Sequence, residues 1–421
     1  MKLTFHGAAR EVGRSCIEVN EKYLLDAGLK LGPELSEYPQ LTYAEHIRAV
    51  FLSHAHLDHT GALPLLNHNG LQCSIYCTRM TKALTKILLH DSIHIEMLQN
   101  KHPAYGKGNV LNVVSFMQNV QYNKKYKLDD GRFTFLNSGH IPGSASVLLE
   151  LNSDKGTTSL LYTGDLNTAN TLLMNGAVYQ CTPDILITEA TYGSRDHPQR
   201  EETEKKCIES VTKTIKRGGS VIIPAFSVGR AQEIILLLAQ KQWGVPIYLD
   251  GMAKGVTEII LSMPEFIKSL TELKTALKQV EYVEDFRQRQ RIINTQGIFI
   301  STAGMLDGGP VMDYLKYMHH DEKNSILLTG YQAEGSNGRL LLEQQCVYVD
   351  GVRVQVKAAV EQFDFSAHCG RKELIAFIER CDPKIVVLNH GDDEEIENLK
   401  SYFTKKKRTV YAPKLGETLD I

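Results

Sequence analysis

The stretch FLSHAHLDHTGALP, residues 51–64, places three histidines and one aspartate within six positions behind an apolar run. Imidazole and carboxylate groups are the ligands that zinc and similar metals prefer. A polar turn is the alternative, but the H-x-H-x-D-H spacing favours metal binding. Because four such groups so close in the chain cannot easily surround one ion, they suit two neighbouring ions, each completed by other residues. The four are His54, His56, Asp58 and His59.

Polar side chains also follow four other apolar, strand-like runs. In layered α/β proteins, ligands and catalytic groups gather in the crevice at the carboxyl ends of strands. A single histidine at such a position is usually structural, but several together with the cluster indicate a shared site. The four additional residues are His140, Asp165, Glu189 and His390.

These positions predict a centre that binds two zinc ions. Three residues are assigned to each ion and one carboxylate is shared: His54, His56 and His140; Asp58, His59 and His390; and Asp165. Each ion would keep an open position for water, which is the catalytic pattern of zinc ligation. Zinc-bound water titrates near neutral pH, so the centre would supply hydroxide for attack on a phosphodiester.

Asp26, in the segment LLDAG, ends another apolar run. We expect it to accept a hydrogen bond from a ligand imidazole and thereby to fix the tautomer of that ring. Aspartate is also common in turns, so a purely local role is the alternative.

Composition restricts the class of protein. The chain has 421 residues, of which 43% are hydrophobic and 23% charged, and its net charge is -2. These values are typical of a globular protein with two or three domain-sized units. RNA or DNA would have to bind through a local basic groove. Scattered cysteines and the lack of a long apolar run predict a cytoplasmic protein that does not enter a membrane.

The pattern of predicted secondary structure changes near residue 201. From there to about residue 355, strands such as SVIIPAF alternate with amphipathic helices such as GRAQEIILLLAQKQ, which predicts a parallel, doubly wound sheet. The strand that ends at His390 comes after this module, so the module is an insertion into another domain. The segment VLNVVSFMQNV, residues 110–120, reads as a helix.

Several motifs together resemble the β-CASP branch of the metallo-β-lactamase superfamily. They are HAHLDH, His140, Asp165, Glu189 in TEATYG, His368 in FSAHCG, and His390. The resemblance is greatest to archaeal and bacterial relatives of the nuclease subunit of the cleavage and polyadenylation specificity factor. It implies an α/β fold, a metallo-β-lactamase αββα sandwich with an inserted doubly wound β-CASP domain. The corresponding boundaries are 1–200 and 356–421 for the sandwich and 201–355 for the insertion.

The resemblance also implies roles for individual residues. Glu189 would pair with His368, and His368 would protonate the leaving oxygen or hold the scissile phosphate. A carboxylate behind an imidazole orients the ring and favours its protonated form. Asp58 and Asp26 complete the predicted catalytic set.

Turn-rich segments of the insertion are candidates for substrate contacts. PAFSVGRAQE, STAGMLDGGP and TGYQAEGSNGR contain glycines, which let backbone N–H groups approach a phosphate. We expect backbone-phosphate contacts from Ser227, Arg230, Ser301 and Ser366, and ordinary loops or helix caps are the alternative.

The sequence therefore predicts a zinc-dependent ribonuclease that cuts single-stranded RNA, as an endonuclease, a 5′-3′ exonuclease or both. His390 favours RNA, because DNA-processing relatives tend to carry an apolar residue there. A thioester or lactone hydrolase is one alternative, but such an enzyme needs no phosphate-clamping histidine. A non-catalytic RNA-binding subunit is the other, and the complete ligand set disfavours it. A homodimer is one assembly that the sequence leaves open.

Overall fold

The structure is a computed structural model, and it describes residues 1–32, 36–41, 44–98, 101–154 and 156–421. The chain divides into two compact units. The flanking unit comprises Met1–Asn170, Asn175–Asp196 and Ala367–Ile421. The inserted unit comprises Thr171–Met174 and His197–Ser366.

The part of the flanking unit that precedes the insertion is mainly β-structure. Its strands are β1 (Lys2–Gly7), β2 (Cys16–Val19), β3 (Tyr23–Leu25), β4 (Ala49–Phe51), β5 (Ser74–Thr78), β6 (Met117–Val120), β7 (Lys125–Leu128), β8 (Gly131–Asn137), β9 (Ala145–Ser153), β10 (Gly156–Tyr162) and β11 (Ile185–Glu189). Its helices are α1 (Leu57–Thr60), α2 (Leu63–His68), α3 (Arg79–Leu98) and α4 (Lys107–Phe116). The expected helix over 110–120 is therefore wrong at its end, where the backbone of Met117 turns extended (φ -72, ψ 121) and begins β6.

The inserted unit alternates helices and strands. Its helices are α5 (Arg200–Lys216), α6 (Arg230–Leu238), α7 (Ala253–Leu261), α8 (Leu270–Leu277), α9 (Phe286–Ile292), α10 (Val311–Met318) and α11 (Asn337–Gln344), with a short 3₁₀ turn at Pro264–Phe266. Its strands are β12 (Val221–Pro224), β13 (Ile247–Asp250), β14 (Val280–Tyr282), β15 (Ile298–Ser301), β16 (Ser325–Leu328), β17 (Cys346–Val349), β18 (Val352–Gln355) and β19 (Ala359–Gln362).

The chain then returns to the flanking unit. This last part contains α12 (Arg371–Cys381), β20 (Ile385–Asn389), α13 (Asp393–Lys405), β21 (Thr409–Tyr411) and β22 (Thr418–Asp420). In the described part of the chain, no helix combines the length and the apolar character needed to cross a lipid bilayer.

Two seven-stranded sheets form the flanking unit, in the orders β22-β1-β2-β3-β4-β5-β6 and β21-β20-β11-β10-β9-β8-β7. Their inner faces share one apolar core, in which the ring centroids of Phe51 and Phe133 lie 4.9 Å apart. Helices α2 and α4 pack on the outer face of the first sheet, and α12 and α13 pack on that of the second. The predicted αββα sandwich is therefore confirmed.

The inserted unit contains a six-stranded parallel sheet in the order β14-β13-β15-β12-β16-β19. Strands β12, β13, β15 and β16 are buried along their whole length, as expected for parallel strands covered on both faces. Because β19 pairs with β16, residues 356–366 lie in this unit, although the sequence assigned them to the flanking domain.

Candidate metal centre

The clustered histidines lie in the turn that leads from β4 into α1. His54 and His56 precede the helix, and Asp58 and His59 lie in its first turn. The backbone of Gly28 packs against this turn so closely that a Cβ there would lie 1.6 Å from the carbonyl oxygen of Asp58. Ala27 N–H donates to the His59 carbonyl at 2.8 Å, so the segment after β3 fixes the position of the turn.

Three histidines and one carboxylate oxygen form the first group of donors. His56 Nδ1 lies 3.1 Å from His54 Nε2 and 3.2 Å from His140 Nε2. Asp165 Oδ2 lies 3.4 Å from His54 Nε2 and 3.5 Å from His140 Nε2. Zinc–nitrogen bonds of about 2.0 Å in a tetrahedron place donors about 3.3 Å apart, which these spacings match.

The second group gathers on the other oxygen of the same aspartate. Asp165 Oδ1 lies 3.3 Å from His59 Nε2 and 3.3 Å from His390 Nδ1. Asp58 Oδ2 lies 3.3 Å from His390 Nε2 and 3.6 Å from His59 Nε2. Asp165 therefore presents one oxygen to each group, which is the geometry of a bridging carboxylate.

Several buried atoms of these groups have no hydrogen-bond partner among the described residues. They are His59 Nε2, Asp165 Oδ1 and both ring nitrogens of His390. Buried polar atoms are normally paired, so such a concentration indicates a missing charged partner. Burial opposes protonation of His59, but Asp165, Asp58 and Asp26 raise the pKa of that imidazole well above its usual value. The field at this position favours a cation, and the residues fit a divalent-metal site.

Groups behind the ligands set the tautomers of two imidazoles. His140 Nδ1 lies 2.8 Å from the Ala367 carbonyl oxygen, and His59 Nδ1 lies 2.7 Å from Asp26 Oδ2. Because a carbonyl or carboxylate only accepts, each Nδ1 carries a proton, which leaves Nε2 as the nitrogen that would bind a metal ion. Asp26 is fully buried, and it accepts a hydrogen bond from the imidazole of His59, the kind of contact that the sequence led us to expect.

His368 and Glu189 lie beside the two donor groups. His368 Nδ1 is 2.9 Å from Glu189 Oε2 and 3.1 Å from Oε1, and His368 Nε2 is 4.0 Å from Asp165 Oδ2. Burial opposes the charge on His368, but Glu189 and Asp165 outweigh it and raise the pKa of the imidazole to about 9. Glu189 also accepts the Leu166 N–H at 2.6 Å, which holds the carboxylate in place.

Comparisons with known proteins agree with this geometry. The metallo-beta-lactamase superfamily domain matches residues 17–188, the Beta-Casp domain matches 231–341, and the Zn-dependent metallo-hydrolase RNA specificity domain matches 353–413. A protein of Methanocaldococcus jannaschii named Probable RNase MJ4 is 40% identical, with all of both chains aligned. The chain belongs to the β-CASP family of the metallo-β-lactamase superfamily.

Other β-CASP relatives are more distant. RNase aCSPSF2 of Saccharolobus solfataricus is 33% identical over 99% of this chain and 84% of its own length. Transcription termination factor FttA of M. jannaschii is 33% identical over 94% of this chain and 67% of its own length. A solved structure from Enterococcus faecalis, of unknown function, superposes with a TM-score of 0.61 at 15% identity over 100% of this chain and 99% of that one, which shows a shared fold.

In this β-CASP chain, the residues expected to contact substrate phosphates have protein partners. Ser301 is fully buried, which argues against direct contact with a phosphate. Arg230 is also buried and forms an ion pair with Glu233. Ser227 is also buried, and the half-buried Ser366 donates its N–H to Asp364 at 3.1 Å.

Sequence reasoning missed the groups that hold Asp26 and His140. Ser53 donates both its N–H and its hydroxyl to Asp26, each at 2.7 Å, and Tyr162 donates its hydroxyl to Asp26 at 2.7 Å. The phenol of Tyr162, three residues before Asp165 in β10 of the flanking unit, was visible in the sequence, although its partner across the sheets was not. The Ala367 carbonyl was not, because a backbone oxygen has no signature in the sequence.

Proposed function

We propose that this protein is a metal-dependent ribonuclease that hydrolyses phosphodiester bonds of single-stranded RNA with two zinc ions. It would act as an endonuclease, a 5′-3′ exonuclease or both, in RNA processing or decay. The observation that carries the proposal is the convergence of two donor groups on Asp165 beside the ion-paired His368 and Glu189. Relatives named RNase and the match to an RNA specificity domain support RNA as the substrate.

The proposed ligands follow the two donor groups. One ion would bind His54, His56 and His140, the other would bind Asp58, His59 and His390, and Asp165 would bridge them. Bound zinc would supply Lewis-acid stabilisation of phosphate charge and would lower the pKa of the attacking water. Protein side chains would supply the remaining step, which is protonation of the leaving oxygen.

His368 is the proposed general acid. When water attacks phosphorus, the phosphorus–oxygen bond to the leaving group breaks and the leaving oxygen needs a proton. Burial opposes the charge on His368, but Glu189 and Asp165 raise the pKa of its imidazole to about 9, which favours the protonated form, and its side chain is 19% exposed, whereas that of Asp165 is 3% exposed. Its Nε2 proton would pass to the leaving oxygen, while Glu189 would hold Nδ1 and stabilise the charged ring until then.

We also infer that the protein works in a reducing compartment, namely the cytoplasm. All eight cysteines are free in the structure, and most are buried. Free buried thiols are typical of proteins that fold where glutathione and thioredoxin keep cysteine reduced.

Digestion of matched RNAs tests the proposed function. Single-stranded RNAs with a 5′ phosphate or a 5′ triphosphate, a circular RNA and a blunt duplex would be incubated with zinc-loaded and chelator-treated protein. We expect cleavage of the linear single strands by the loaded protein alone. Because a circle has no ends, its cleavage would establish endonuclease activity. A protein that spares all four RNAs but hydrolyses a fluorescent thioester would contradict the proposal.

A further inference from the structure

Tyr162 connects the two sheets of the flanking unit at the metal centre. It is the last residue of β10, it is 3% exposed, and its ring belongs to the apolar core between the sheets. Its hydroxyl donates at 2.7 Å to Asp26 Oδ2, and Asp26 follows β3 in the opposite sheet. The hydroxyl also lies 3.0 Å from Ser15 Oγ. A single buried phenol therefore ties the strand ends of both sheets together.

The acceptor of this bond is a crowded carboxylate oxygen. Asp26 Oδ2 accepts from Tyr162, from the Ser53 hydroxyl and from His59 Nδ1, each at 2.7 Å. With three donors on one oxygen, the carboxylate has a defined orientation, and His59 Nδ1 donates its hydrogen bond to the carboxylate in that orientation. Removing one donor would constrain Oδ2 less, although the Ser53 N–H still holds Oδ1 at 2.7 Å, and the orientation of the bond from His59 would be less well defined.

Tyr162 is also close in the chain to Asp165, the ligand that the two groups share. Asp165 lies three residues after Tyr162, where β10 has ended. His59 Nε2 and Asp165 Oδ1 are 3.3 Å apart, although they come from different sheets. The bond between Tyr162 and Asp26 is thus a short connection between the segments that deliver these two donors.

The two donor groups differ in the partners that hold their histidines from behind. Behind the first group, His140 is held by the Ala367 carbonyl, and His54 Nδ1 lies 3.0 Å from the Ser53 hydroxyl. Both are neutral partners, and Asp26 is connected to the first group only indirectly, through the Ser53 hydroxyl, which donates to Asp26 Oδ2 at 2.7 Å. Behind the second group stands the carboxylate of Asp26, on which the Tyr162 hydroxyl acts directly.

We propose that Tyr162 is a positioning residue that sets the affinity of the second ligand group for its metal ion, leaving the first group largely unaffected. The inference rests on the proposed two-zinc function. Partners behind a metal ligand typically change metal affinity by about 10–100-fold. Because Tyr162 supplies one of three donors to Asp26 Oδ2, we expect the lower end, about 10-fold.

The test is a zinc titration of the full-length protein with Tyr162→Phe. Metal-stripped wild-type and variant proteins would be titrated with zinc against a chromophoric chelator, and stepwise dissociation constants would be fitted. We expect one zinc to bind about 10-fold more weakly and the other to be unchanged. In RNA cleavage, kcat should fall while KM stays near its wild-type value, since no substrate contact is removed.

Tyr314→Phe is the matched control. The Tyr314 hydroxyl donates at 2.8 Å to Asp250 in the inserted unit, and its ring is likewise buried in an apolar core. This variant should lose thermal stability as Tyr162→Phe does, but both of its zinc affinities should equal those of the wild type. Equal zinc weakening in the two variants would reduce Tyr162 to a general structural role and overturn the inference.

Other outcomes separate the inference from the proposed function. Unchanged zinc affinities in Tyr162→Phe overturn the inference alone. A wild-type protein that binds no zinc overturns both. If Tyr162→Phe does not fold, Ser15→Ala replaces it, because this change removes the partner of the Tyr162 hydroxyl and keeps the phenol. It should weaken the same single zinc to a smaller extent, and no weakening would contradict the role of Tyr162.

Discussion

In both units, polar residues lie at or just after the ends of buried parallel strands, but these residues differ in how completely they are hydrogen-bonded. In the inserted unit, Asp250 ends β13 and is fully satisfied, with Arg289 Nε at 2.6 Å, the Tyr314 hydroxyl at 2.8 Å and the Gly251 N–H at 2.7 Å. In the flanking unit, Asp165 Oδ1 and both nitrogens of His390 have no hydrogen-bond partner in the described ranges. A strand end is therefore a place where a site can form, and unsatisfied donors distinguish a ligand site from a structural one.

The two sites also differ in the source of the positive charge that faces the aspartate. Arg289 neutralises Asp250 and also contacts Asp313 at 2.7 Å, so the charges of that cluster come from the protein itself. Around Asp165, the other groups are mostly histidines, whose charge depends on protonation. Metal ions would supply positive charge there without requiring protonated imidazoles.

Replacing Asp165 in the flanking unit and Asp250 in the inserted unit should produce the largest difference in metal content and activity. Asp165→Ala removes the shared ligand, so we expect metal content to fall and RNA cleavage to drop by about 10³-fold or more, since metal catalysis supplies several kcal/mol. Asp250→Ala should keep both metals and lose about 3 kcal/mol of unfolding free energy, because it leaves Arg289 without its main partner. Elemental analysis and denaturant unfolding would measure these effects. Metal loss in Asp250→Ala would break the comparison.

His368→Ala sharpens the distinction between metal binding and proton transfer. We expect both metals and nearly normal RNA affinity, with the cleavage step about 10²–10⁴-fold slower, the usual contribution of a positioned acid. Glu189→Gln should slow the same step less, because it only orients and charges the imidazole. Single-turnover kinetics would measure the step, and a substrate with a better leaving group should rescue His368→Ala preferentially. Loss of a metal ion from this variant would contradict the assigned role.

Chelation should affect the two units unequally. Ligands from distant parts of the flanking unit converge on the centre, so bound metal stabilises that unit by about 3–4 kcal/mol when its concentration is several hundred-fold above the dissociation constant. Hydrogen exchange after chelator treatment should accelerate in α1, β10 and β20 and stay unchanged in β12 and β15. Equal acceleration in both sets of elements would contradict a metal site confined to the flanking unit.

The smallest effect is expected at Ser301. This side chain ends β15 in the inserted unit and is fully buried, with a long contact of 3.4 Å to the Thr302 carbonyl. Ser301→Ala should cost about 0.5 kcal/mol of stability and leave KM for RNA within about twofold of the wild type. A several-fold rise in KM would restore the sequence-based expectation that Ser301 contacts a phosphate.

The sequence predicted the fold and the convergence of the donors for identifiable reasons. His140, Asp165 and His390 follow apolar runs and have the same ligand chemistry as the HAHLDH cluster, so together they indicated a shared site. Strand β19 did not, because it is a partly exposed edge strand without an apolar run, and the predicted border fell before it. Strand β6 was read as helix because its apolar spacing continues that of α4. The hydroxyl of Tyr162 acts across two sheets, a pairing that exists only in the folded chain.

The most direct test of the central claim is the number of zinc ions bound per chain by the metal-stripped protein. The two donor groups around Asp165 predict saturation at about two equivalents. Asp250→Ala should reach the same value, and Asp165→Ala should not. Binding of no zinc by the wild-type protein, or saturation of Asp165→Ala at the wild-type level, would contradict the account.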